Sequence, residues 1–371
     1  MPPGRQIRRK QVVVENQGKS QKKKQKDLLE RLGSSSFPPA AVLGAFASFT
    51  SAAINESPAG AGRSNPAAPL IQITVGDSGK KEEPANLGLK YIRAFALAER
   101  APKHAFRQSL TGIAAGPADR IFALGDEELR IFEKSGEFIQ SFRAPVGAMC
   151  ISVDAEERIY FGSEGRVDVY GRDGARFGGF AVSENGKPGL ITAIKIYGRE
   201  IFAADAAAKY IRRYDFSGKQ LGVIGVQGKI RGFMLPNKSL DFALNGTGTI
   251  CAADPGRHRV SMWKADGFMV GKFGKFGLTN PEDFVGCCNP VNLAVLRDGS
   301  IITAEKVASR VKVYDPDGRL KAIIGPENFD PRCVHLHLAV DSRQRILVGD
   351  PIRRNIQIFS ALDGTGDGKS V

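Results

Sequence analysis

Hydrophobic and polar positions along this chain recur in one short phrase: β-type residues, an aromatic, a polar pair, then a turn closed by glycine. It runs from Ile131-Phe132 to Gly136, Val169-Tyr170 to Gly174, Arg213-Tyr214 to Gly218, Met262-Trp263 to Gly267, Val313-Tyr314 to Gly318 and Ile358-Phe359 to Gly364. These glycines lie 38, 44, 49, 51 and 46 residues apart. Asp-Gly and Ser-Gly at such points supply the positive φ of a tight turn between two strands. Upstream of the phrase stand an apolar triplet, a polar turn and a second short strand. Ile151-Ser152-Val153 before Arg158-Ile159-Tyr160 is one example, and Leu293-Ala294-Val295 before Ser300-Ile301-Ile302 is another. The second strand often ends in an acid (Asp205, Asp254, Glu305, Asp350), for which hydrogen bonding in turns and between blades is the expected role. Downstream of the glycine comes a further strand, such as 138–142 or 320–324. Four short strands in about 45 residues, repeated six times, predict an all-β, six-bladed propeller.

The sixth copy ends at Gly364 with no room for a fourth strand. Closure then needs a strand from the N-terminal side, which pairs an edge that would otherwise be free. Segment 89–97 (LKYIRAFAL) reads like the fourth strands and is expected to pair with 355–359; segment 70–75 (LIQITV) is the second candidate. The phrases resemble NHL repeats over about 270 residues, clearly in the blades beginning near Ser239, Asn289 and Val334 and more loosely near Thr111, Gly147 and Leu190. Gly286-Cys287-Cys288-Asn289-Pro290, followed by Thr303-Ala304-Glu305-Lys306 and Val311-Lys312-Val313-Tyr314, is similar to a bacterial subgroup of NHL-like proteins. That resemblance implies a fold and no particular activity.

Charge separates the N-terminal region from the repeats. Of the net +14, half comes from residues 1–31, where ten basic residues face three acidic ones. The chain divides into a basic disordered leader (1–36), an apolar segment (37–55), a Pro/Ala/Gly-rich linker (56–86), the propeller (87–364) and a tail (365–371). Basic residues, then an apolar run, then small residues is the order of a secretory signal or anchor. It predicts a periplasmic or membrane-tethered protein, with a cytoplasmic protein carrying a disordered leader as the alternative. The run is short and alanine-rich for a helix crossing about 30 Å of hydrocarbon. The basic leader suits an anionic membrane surface, whereas support for nucleic acid is thin. Lysine and phenylalanine alternate in 271–277 (GKFGKFG), but that stretch reads as an ordinary strand and loop. Five cysteines are too few and too scattered for a disulfide framework, and the odd number leaves at least one unpaired.

No G-x-S-x-G elbow, P-loop or βαβ G-x-G-x-x-G is present, and a propeller by itself implies no reaction. Candidate chemistry gathers in the last two blades. Aligning blades on the apolar triplet places Gly112, Cys150, Ala193, Asp241, Asn292 and His337 just before it, on the innermost strands. Cys150, Asp241 and Asn292 are thereby channel-lining candidates. Four residues further back, Cys288 and Cys333 occupy equivalent positions of neighbouring blades, with Cys287 adjoining. In Cys333-Val334-His335-Leu336-His337 an extended run puts Cys333, His335 and His337 on one face. Cys287, Cys288, Cys333, His335 and His337 are therefore the candidate metal ligands, thiolates and imidazoles suited to zinc, copper or an iron–sulfur cluster. Their spacing is not that of a zinc ribbon or a ferredoxin. The alternatives are a vicinal disulfide or redox-active thiol at Cys287-Cys288, and plain packing, which is the reading for Cys251.

The function expected is a binding or assembly module with a protein partner, electron-transferring or membrane-associated, and room for a small molecule in the channel. The alternative is a metal-dependent lyase or hydrolase working at the channel mouth. The family resemblance bears weakly on either. Amidating lyases of this type use a channel-histidine metal site that these histidines match poorly. Propeller lactonases use calcium held by carboxylates and amides, of which only Asp241 and Asn292 stand near the channel.

Overall fold

Glycine fixes the blade outline because each recurring turn demands a backbone that other residues resist. In the computed structural model, which describes residues 87–362, Gly136, Gly174, Gly218, Gly267 and Gly318 have φ of 92°, 83°, 85°, 87° and 88°. A side chain in that region costs about 1–2 kcal/mol. Each of these glycines also donates its N–H to the carbonyl three residues back, so the turn is tight as well as left-handed. The sixth glycine, Gly364, lies outside the described residues. So do the leader, the apolar segment, the linker, segment 70–75 and the tail.

The turns join strands into six four-stranded antiparallel sheets, each in chain order apart from the closing one. Blade one comprises Gly112–Ala115, Ile121–Gly125, Glu128–Phe132 and Phe138–Arg143. Blade five comprises Asn292–Val295, Ile301–Glu305, Arg310–Tyr314 and Leu320–Ile324. Blade six supplies His337–Val340, Ile346–Asp350 and Asn355–Leu362, and its outer strand is Lys90–Ala96. That strand runs antiparallel to Asn355–Leu362, from Lys90 opposite Leu362 to Ala96 opposite Gln357, with a bulge between Arg93 and Phe95. The predicted closure is therefore present, with the ladder displaced toward the chain end, on 357–362 instead of the expected 355–359. Phe95 and Ala96 turn inward and are buried, so the pairing is held by packing as well as by the ladder.

First strands of successive blades contact one another around the ring, and the sixth meets the first. The core is divided accordingly into six clusters, one at each junction between blades. Val311, Val313 and Ile324 meet Leu338, Val348 and Phe359 between blades five and six. Cys150 and Tyr160 meet Ile201 and Tyr214 between blades two and three. Sheets with apolar residues on both faces bury them only by stacking on two neighbours. Cys251 takes part in the junction between blades four and five, the packing role expected for it.

The acids that end the second strands are buried and bind backbone or basic partners. Asp205 accepts from the N–H groups of Leu190, Ala207 and Ala208 and from Arg212. Asp254 receives Met234 N–H, Arg257 and Arg259. Glu305 pairs with Arg310 at 2.5 Å and Lys312 at 2.7 Å. Asp350 receives the N–H groups of Asp330, Ile352 and Arg353. The three aspartates thereby tie their blades to the loops that enter them, and Glu305 is held against the next strand of its own blade.

Candidate functional site

The inner strands converge on an axial cavity of about 280 Å³. Gly112, Cys150, Ala193, Asp241, Asn292 and His337 all line it, one from each blade, and His335 and Lys195 join them. Gly112 and Ala193 leave space, and the other positions carry polar or sulfur-bearing side chains. Lys195 is absent from the sequence-based candidates. It stands two residues after Ala193 on the strand Ile191–Tyr197, so the two-residue strand period would have pointed to it.

Three of these residues form a hydrogen-bonded line across blades four to six. Asp241 accepts from Phe242 N–H through one oxygen (2.9 Å), and through the other from Leu293 N–H (2.9 Å) and Asn292 Nδ2 (3.0 Å). A carboxylate only accepts, so it fixes the Asn292 amide with nitrogen toward Asp241 and oxygen away from it. That oxygen lies 2.7 Å from His335 Nδ1. It can only accept, so Nδ1 carries the proton and donates. Burial, foremost, pulls the His335 pKa below its usual value; Lys306 acts in the same sense and Asp241 opposes it. The ring is therefore neutral at pH 7, with an unprotonated Nε2 that makes no hydrogen bond among the described residues.

His337 stacks on His335 with ring centroids 6.2 Å apart. Burial, then the neighbouring His335, push its pKa down to about 3, against the pull of a hydrogen bond to the Leu110 carbonyl. Cys150 is also inert as an acid, since burial pushes its thiol up to about 12 while it donates to the Ile191 carbonyl at 3.5 Å. Thr192 Oγ1 donates to the Leu240 carbonyl (2.7 Å) and accepts its N–H (3.1 Å), which fixes the backbone beside Asp241.

The five candidate metal ligands separate into three groups. His335 and His337 border the cavity. Cys333 does not share their face. Its N–H bonds to the Asp330 carbonyl in a turn, and the strand begins only at His337. Strand alternation therefore does not govern residues 333–336. Its side chain packs with Val291, Phe329 and Leu336 at the junction of blades five and six, and its thiol donates to the His335 carbonyl at 3.2 Å. Burial pushes this thiol up to about 12. Cys287 and Cys288 stay together on the loop entering blade five, sulfurs 3.2 Å apart and unbonded, with Cys287 exposed and Cys288 buried. A hydrogen bond with Cys288 holds the Cys287 thiol below its usual range, and Lys306 adds to this. Burial pushes Cys288 up.

Among the described residues, no three His, Cys, Asp or Glu side chains are placed to hold one metal ion. At the axis both Asp241 oxygens are already engaged. The residues present thus do not fit the zinc, cluster or calcium sites considered from the sequence.

No protein-family model and no curated protein sequence matches the chain. Solved structures resemble it at low identity. A protein of unknown function from Bacteroides thetaiotaomicron aligns with a TM-score of 0.53 and 14% identity, over 70% of this chain and 70% of that one. A gluconolactonase from Xanthomonas campestris gives 0.52 and 13%, over 70% and 88%. A streptogramin B lyase gives 0.49 and 10%, over 68% and 93%. At such identities the first two likenesses are ones of fold, and with its own six four-stranded sheets the chain is a six-bladed β-propeller.

Proposed function

We propose that this propeller is a binding module that takes a small polar molecule in its axial cavity, with His335 Nε2 receiving a hydrogen bond or a proton from it. The observation that carries this reading is the line Asp241–Asn292–His335. It orients a neutral imidazole in a single tautomer, with its basic nitrogen left open in the cavity. Lys195, on the same cavity, suits a ligand with a partial or full negative charge beside its donor. The cavity's size limits that ligand to a compact molecule.

The same geometry favours one catalytic reading, in which His335 acts as general base toward a hydroxyl or an acidic C–H and Lys195 stabilises the charge that develops. This is lyase or lactone chemistry without a metal step. The repeat text also supports membership of the NHL type, and the order of segments in 1–55 supports export. Exposed Met234, Phe276, Leu278, Val307 and Val334 all lie on connections at one end of the blades and suit a protein partner.

The test is a thermal-shift screen of hydroxy acids, small lactones and their hydrolysis products against wild type and His335→Gln. Compounds that raise the melting temperature of wild type and not of the variant support the site. Stabilisation that is equal in both places the ligand elsewhere.

A further inference from the structure

We propose that Cys287 and Cys288 form a reversible thiol–disulfide site, with Cys287 as the attacking sulfur and Cys288 as the resolving one. The inference is independent of the axial cavity and rests on how this loop is built. Adjacent cysteines ordinarily point their side chains apart, yet here the sulfurs are 3.2 Å from each other. They need to approach by only about 1 Å to reach a bond of about 2.05 Å. One sulfur is exposed and its neighbour is buried, so an oxidant meets Cys287 first.

The flanks of the pair are pinned. Asn289 accepts Lys306 N–H at 2.9 Å and donates to the Lys306 carbonyl at 3.0 Å and to the Val285 carbonyl. His258 Nε2 donates to the Gly286 carbonyl at 2.8 Å. These bonds also bring the Lys306 backbone to the loop, and its side-chain ammonium acts on both sulfurs, favouring the thiolate. An electropositive, accessible thiol with a partner in reach is the arrangement that reacts. The three remaining cysteines sit apart in three different junctions between blades, where burial pushes each up to about 12. Reactivity is thereby confined to the pair.

The co-reactant is a small-molecule disulfide. The Cys287 thiolate attacks one of its sulfurs, forming a mixed disulfide and releasing one thiolate. Cys288 then loses its proton and attacks the Cys287 sulfur, which forms the vicinal bond and expels the second thiolate. Two electrons leave the protein pair and reduce the disulfide to two thiols. Excess thiol reverses both steps.

The experiment equilibrates the full chain in glutathione buffers of varied oxidised-to-reduced ratio, quenches with acid, and maps free and linked cysteines by peptide mass. Near-UV circular dichroism is followed in parallel. The expected result is joint, reversible loss of the Cys287 and Cys288 thiols in folded protein, while Cys150, Cys251 and Cys333 stay reduced. Cys288→Ser is expected to stop at a glutathione adduct on Cys287, and Cys287→Ser to remain unmodified. The proposal fails if folded wild type keeps both thiols at every ratio. It fails equally if wild type accumulates a stable adduct on Cys287, or if one of the three buried cysteines reacts first. Because wild type alone decides these outcomes, poor folding of a variant does not protect the idea.

Discussion

Asn292→Ala is the sharpest probe of the axial site, because one side chain joins two others. The substitution removes the 3.0 Å hydrogen bond to the Asp241 carboxylate and the 2.7 Å bond from His335. A hydrogen bond to a charged group contributes about 1.5–3 kcal/mol, and a buried donor left without a partner costs about 1–3 kcal/mol. Asp241 keeps two backbone donors and is only partly stripped. The net loss of stability should therefore be about 2–4 kcal/mol, measurable by denaturant unfolding. The diagnostic readout is the imidazole itself. Only four histidines are present, so side-chain proton–nitrogen correlation spectra can be assigned with His335→Gln. Wild type should show His335 in the Nδ1–H form and unprotonated at neutral pH, since burial holds its pKa below the usual value. Asn292→Ala should move it toward the Nε2–H form that free imidazole prefers. A wild-type His335 found with Nε2 protonated, or a tautomer indifferent to Asn292, would refute the reasoning.

Two further predictions concern the frame that holds the site. Phe95→Ala should cost about 3–5 kcal/mol and lower the melting temperature by roughly 10 °C, since Phe95 packs with Leu347, Ile356 and Ile358 at the closing strand. Ile92→Ala on the same strand, where the side chain is 48% exposed, should change stability by less than about 0.5 kcal/mol; equal effects would mean that closure rests on the ladder alone. Asp126→Asn should lower stability at neutral pH by about 1–3 kcal/mol. Partial burial opposes ionisation of Asp126, but the N–H groups of Arg107, Ser109 and Gln108, with Arg130, hold its pKa below the usual range. A carboxyl lowered in the native state contributes stability above its unfolded pKa of about 3.9 and loses it as pH falls through the native value. The gap between wild type and variant should thus close in acid, and a gap constant with pH would count against the assignment.

Much of the architecture was legible because it follows from local rules repeated six times. Each of the five described turn glycines has a positive φ, so blade number and period could be counted from the chain. Segment 89–97 could be paired with the last blade because a free edge must be covered and its residues read as a fourth strand. Strand phase also placed one residue per blade on the axis, which is how Asp241, Asn292 and His337 came to attention before any contact was known. The same reasoning misplaced Cys333, because it extended strand alternation into 333–336, where a turn from Asp330 sets the direction of the side chain.

What the sequence alone determined, then, is the pattern of four strands per blade, the order of blades around the ring and the phase of the inner strands. These depend on spacings of two residues within a strand and about 45 between blades. Only the tertiary structure decided which polar groups meet. Asp241 and Asn292 are separated by 51 residues and Asn292 and His335 by 43, and each pair is joined by a single hydrogen bond across a blade junction. Such a bond depends on side-chain direction to within a fraction of an ångström, and the packing of neighbouring blades sets that direction without any local signal in the chain.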